Sequence, residues 1–161
     1  MSATSSATNT HTGQSIRCSA AASTASSLHE ALISAYQEAL TKLGSSSPDL
    51  VVIFISAAYG EEIRPAMETL DEIAPSRYLL GTTAEAVLAN DNEYESEPAV
   101  AIWMAALPNA EITPFTLEYS QTADGGTFLG WPDDLEWPDH PTMLLLACLL
   151  YTSDAADELT S

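Results

Sequence analysis

The stretch from Ser47 to Gly60, "SPDLVVIFISAAYG", decides the fold. Leu50 to Ser56 is an unbroken apolar run rich in β-branched side chains, bounded on both sides by turn residues. A run of this length and type reads as a strand buried on both faces, the kind found in sheets covered by helices.

Upstream, "SLHEALISAYQEALTKLGSSSPD" carries Leu28, Ala31, Leu32, Ala35, Ala39 and Leu43 at helical spacing, one apolar stripe for the core. Ser27 followed by Glu30 predicts a capping box, Gly44 falls at the C-terminal glycine position, and Pro48 prevents the helix from resuming. Ile16 to Ala22 is read as a short first strand. Downstream, a helix over Glu61 to Ile73, ended by Pro75, leads into the short apolar strand "RYLLG". The order is β-α-β, which predicts a parallel strand pair. "AVAIWMAAL" and "EITPFTLEY" follow across the turn "PNA" and read as a hairpin or meander, with Pro114 at an edge or bulge. "TMLLLA" reads as the start of a further buried strand. The expected class is α/β: a mixed sheet with a β-α-β start, covering helices and a following antiparallel meander.

At 161 residues and 46% apolar, the chain has room for one domain with a real core. Four Lys and Arg stand against 23 Asp and Glu, a formal net charge of −19. Such a surface repels phosphate backbones and anionic lipid, so neither nucleic acid nor a membrane surface is an expected partner. Residues 1–15 are small and polar, lack the basic and apolar regions of a secretory signal, and read as a disordered leader. The longest apolar run, "MLLLACLLY", is nine residues, about half of the ~20 a membrane helix needs, so a cytoplasmic location is expected.

Cys148 to Glu158, "CLLYTSDAADE", resembles the in-frame translation of a transposon-library sequencing adapter. Residues 148–161 are therefore read as an adapter-derived tail and 16–147 as a truncated domain. Cys18 is then the single native cysteine, and no disulfide is expected.

Chemistry-bearing patterns are sparse. Glu93, Glu95 and Glu97 alternate along "NEYESEP" and share one face if that segment is extended. They could form a carboxylate pair of hydrolase type only if buried; a solvated face is the simpler reading, with Glu95 the candidate to turn inward. His11, His29 and His140 lie in a leader, at a helix start and in a Pro-rich loop, away from Ser56 and Cys18 in every expected element, so no nucleophile–base pair stands out. No His or Cys pair has ligand spacing, and no glycine fingerprint for a phosphate or dinucleotide occurs. No catalytic residue, metal ligand or cofactor is assigned.

Loops at the ends of the buried strands remain: "SAAYG", with Ser56 and Tyr59, and "GTTAEA", with Gly81, Thr82, Thr83 and Glu85. In open α/β sheets ligands settle at the carboxyl ends of adjacent strands, where backbone N–H groups and hydroxyls converge. Gly81 would let a ligand or a neighbouring backbone approach closely. Ordinary turn and capping chemistry is the competing reading.

From Arg17 to Ala147 the chain resembles the N-terminal domain of the FIST family. The resemblance rests on "SPDLVVIFISAAYG", on "LLGTTAEAVLANDNEYESEPAVAIWMAALPNAEITPF" and on "DGGTFLGWPD". Thr82 stands where many relatives carry Cys, which argues against a thiol nucleophile. The resemblance implies an intracellular sensory module that binds a small ligand, an amino acid being one candidate; the candidate ligand-binding residues are Ser56, Tyr59, Gly81, Thr82, Thr83, Glu85 and Glu95. It also implies a continuation into a FIST C-terminal domain, here absent, and a signalling partner. A protein-interaction scaffold and a carboxylate-dependent hydrolase are the alternatives.

Overall fold

The computed structural model describes residues 15–44, 47–95, 97–122 and 125–146. Contacts gather into two compact units, Met1–Ala110 and Glu111–Ser161. The leader up to residue 14 and the tail Cys148–Ser161 lie outside the described residues.

In the first unit, the apolar run forms β2 (Leu50–Ser56), paired in parallel with β3 (Tyr78–Ala84) from Leu50 opposite Tyr78 to Ser56 opposite Ala84. The expected single helix between them is broken into a 3₁₀ turn at Ala57–Glu62, α2 (Ile63–Glu68) and α3 (Leu70–Ile73). Gly60, at φ 54° and ψ −118°, turns the chain sharply ahead of α2, and Pro65 sits in the first turn, where its missing N–H costs nothing. Thr69, with φ −117° and ψ 8°, separates α2 from α3.

β6 (Val100–Ala106) lies antiparallel between β1 (Arg17–Ser23) and β2, giving the sheet order β1-β6-β2-β3. Both ladders of β6 are thereby used, so the 111–119 segment is not its hairpin partner. That finer pairing, expected from the "PNA" turn, is replaced by a long-range one. The sheet is mixed, as the β-α-β reading requires, and the α/β class holds.

One face of the sheet is covered by α1 (Leu28–Leu43). Leu28, Ala31, Leu32, Ala35, Tyr36, Ala39 and Leu43 are buried against Val51, Ile53, Ile55, Val100, Ile102 and Met104. Each fully buried Leu, Ile or Val contributes roughly 1.5–3 kcal/mol relative to exposure. Polar ties set the helix on the sheet: Ser19 Oγ donates to Ala39 O at 2.7 Å and Tyr36 Oη to Pro75 O at 2.5 Å. Gly44, at φ 64°, closes the helix, its N–H reaching Leu40 O and Thr41 O.

The helix start differs from the expected capping box. Ser27 has the extended backbone of an N-cap but no side-chain cap bond. Leu28 N–H donates instead to Glu62 Oε2, 2.8 Å away. The carboxylate comes from the far end of the 3₁₀ turn, so the link after β2 holds the first turn of α1.

On the other sheet face a hairpin of β4 (Ala86–Ala89) and β5 (Asn92–Glu95) turns at Asn90, whose φ is 54°. Val87 and Ala89 pack there with Ala99, Ala101, Phe54 and Tyr94.

The second unit contains the hairpin β7 (Glu118–Thr122) and β8 (Gly125–Leu129). Tyr119 faces Phe128 with ring centroids 5.5 Å apart, and its ring lies over Gly126 where any Cβ would collide with it. Met143, Leu144 and Leu145, expected in a buried strand, are exposed and form no strand. An apolar run becomes a strand only with a ladder partner, and none among the described residues pairs with it.

Candidate functional site

The carboxyl ends of β2 and β3 lie side by side, Ser56 opposite Ala84, so the two loops singled out in the sequence start from adjacent positions. Ser56 is buried, at 1% exposure. Its Oγ accepts from Ala58 N–H at 3.2 Å, and its own N–H donates to Ala99 O at 2.8 Å. Ser56 is thus the cap of the 3₁₀ turn. Tyr59 is buried as well, and its hydroxyl donates to Ala25 O at 2.8 Å. Burial raises the Tyr59 phenol above its ordinary range, and the negative Glu62 carboxylate raises it further.

Gly81, Thr82 and Thr83 do not form a loop. They are the exposed second half of β3, the edge strand of the sheet. A Cβ on Gly81 would stand 2.7 Å from Ile53 O, so the glycine is required by the neighbouring backbone of β2. Thr82 Oγ1 donates to Thr83 O at 3.2 Å.

Glu85 follows β3 directly, and the next residue, Ala86, pairs across the hairpin with Glu95. Glu85 and Glu95 are both exposed. Glu95 does not turn inward: Tyr94 takes the inward position in the small core, leaving Glu93 and Glu95 on the outer, solvated face. The alternation read in "NEYESEP" therefore holds for β5, with the inward side assigned to the aromatic residue.

Beside this end of the sheet, Gly60, Glu61, Ile63, Arg64 and Pro65 line an open depression. Arg64 brings one of the chain's four basic residues to it. Glu62 was invisible to sequence reasoning, because its partner Leu28 is 34 positions away and no local pattern links them. Among the described residues no group of three or more His, Cys, Asp or Glu is placed to hold a metal ion, and no helix is long and apolar enough to cross a membrane.

The arrangement offers backbone and hydroxyl groups at two parallel strand ends, with carboxylates alongside. Exposed carboxylates suit a cationic group such as an ammonium. Uncharacterized mycobacterial proteins are similar to part of the chain. The chain is similar to the uncharacterized protein MT0656 of Mycobacterium tuberculosis, 29% identical over 119 residues, which is 74% of this chain and 30% of that protein. It is similar also to the uncharacterized protein Mb0898c of Mycobacterium bovis, 29% identical over 105 residues, 65% of this chain and 27% of that protein. The chain spans less than a third of the length of these relatives. No family model and no solved structure matches.

Proposed function

We propose that this chain is part of an intracellular sensory protein of FIST type and binds a small ligand, with a free amino acid as the first candidate. The observation that carries the reading is the adjacency of the β2 and β3 carboxyl ends, with exposed Thr82 and Thr83 on an edge strand and exposed Glu85 and Glu95 in the chain that follows it. Ligand affinity in open α/β sheets arises at such ends. The carboxylates suit an α-ammonium group. Ser56 and Tyr59 shape the link through their bonds to Ala58 and Ala25 and are positioning residues in this reading. The continuation of the protein, a FIST C-terminal domain, and a signalling partner belong to the same proposal.

The test is a thermal-shift titration of the whole chain with the twenty free amino acids. A ligand at ~100 times its dissociation constant adds ~2.7 kcal/mol, a rise of about 5–10 °C for a chain of this size. Absence of any rise across the panel counts against the reading. A protein-interaction scaffold is the second reading, favoured by Leu88, 70% exposed on the outer side of the β4–β5 hairpin. A carboxylate-dependent hydrolase would need Glu85 or Glu95; turnover unchanged in Glu85→Gln and Glu95→Gln removes it.

A further inference from the structure

Phe115, Trp131 and Trp137 of the second unit close a triangle of rings. The centroids are 5.8 Å apart for Phe115 and Trp131, 6.4 Å for Phe115 and Trp137, and 6.3 Å for the two indoles. The interplanar angles of 44°, 81° and 52° are tilted or edge-on, the arrangements that aromatic quadrupoles favour, so the rings hold one another. Each nevertheless keeps a large open surface: Phe115 is 37% exposed, and Trp131 and Trp137 are each 44% exposed.

The residues that flank the two indoles in the sequence are rich in acid and hold no lysine or arginine. The indoles recur in a repeated Trp-Pro-Asp, at 131–133 and 137–139. Each repeat puts an aspartate two positions after an indole. Asp133, Asp134, Glu136 and Asp139 are all exposed, and no lysine or arginine follows Arg77 in the sequence. The chain does use a cation over an aromatic ring elsewhere: the Arg77 guanidinium sits 5.2 Å from the Tyr78 ring centre in the first unit. The segment holding the aromatic triangle has no such cation of its own.

We propose that the exposed face of Phe115, Trp131 and Trp137 binds a small organic cation of the quaternary-ammonium class. The negative ring faces attract the charge, the neighbouring carboxylates add a long-range pull, and both repel anions. A methylated ammonium suits the rings because its methyl groups cover apolar surface and it has no N–H to leave unsatisfied. The rings touch one another, so the cation rests on their outer surface and does not enter between them.

The test is a fluorescence titration of the whole chain carrying Trp103→Phe, which leaves the two indoles of the triangle as reporters. Choline is the probe, and 3,3-dimethylbutan-1-ol, its neutral counterpart of the same shape, is the control. A saturable change with choline, absent with the alcohol and weakened by salt, is expected. Phe115→Ala should lower the affinity roughly two- to thirtyfold, the range that losing one cation–ring contact gives. Because Phe115 also packs the triangle, the double variant Asp133→Asn with Asp134→Asn, which keeps every ring, serves as the second arm and should weaken choline without affecting the alcohol. No saturable response to choline overturns the proposal. So does an equal response to the alcohol, which would make the patch an apolar docking face instead.

Discussion

At the start of α1 two side chains compete for one structural role, and the geometry separates them. Leu28 N–H is held by the Glu62 carboxylate, whereas the Ser27 side chain makes no cap bond. A negative group at a helix N-terminus also meets the positive end of the helix dipole. Glu62→Ala is therefore expected to lower stability by about 0.5–1 kcal/mol and Ser27→Ala by much less, measured by urea denaturation. Equal losses would mean that the serine caps in solution. At Gly81 the obstacle is backbone: a Cβ would sit 2.7 Å from Ile53 O, which cannot swing away as a side chain can. Gly81→Ala should cost about 1–3 kcal/mol, the usual range for overpacking. A neutral result would show β3 free to shift outward at the sheet edge.

The first elements were legible because their signals are local. The β2 run and the α1 stripe each carry their period in consecutive residues, and Gly44 marks the helix end where it is found. Leu32→Ala, removing a side chain with no exposed surface from the α1 stripe, should cost about 2–5 kcal/mol with an unchanged denaturant slope. Three features were not legible, and each depends on a distant partner. β6 chose β1 and β2 over the nearby 111–119 segment, a preference set by the whole sheet. The "GTT" of the candidate site reads as turn residues, yet pairing with β2 draws all three into β3. Glu62 reached the helix start from the next connection along the chain. Of the candidate site, the adjacency of the two strand ends followed from the β-α-β order. The structural duties of Ser56 and Tyr59 did not, because their bonding partners are not encoded in spacing.

For the whole molecule the dominant feature is charge, −19 with four basic residues. Self-repulsion of this kind weakens the folded state and is screened by salt, the Debye length falling from about 30 Å at 0.01 M to about 3 Å at 1 M. The melting temperature should therefore rise with sodium chloride over that range, and a fall would contradict a repulsion-limited fold. High pH acts in the opposite direction. Tyr36 and Tyr59 both have phenols raised above their ordinary value of 10.0, in each case first by burial. The folded state keeps these protons longer than the unfolded chain does. Their contribution is complete below the unfolded value and is lost as pH climbs through the raised one. A urea midpoint followed from pH 8 to 11 should drop above about pH 10, and the drop should shrink in Tyr59→Phe. The proposed small-ligand site at the carboxyl ends of β2 and β3 can be read by amide chemical-shift mapping of the whole chain with free amino acids. Saturable shifts are expected at Ser56 to Gly60, at Gly81 to Glu85 and at Glu95; no saturable shift there at about 10 mM of any amino acid would contradict a ligand site at these strand ends.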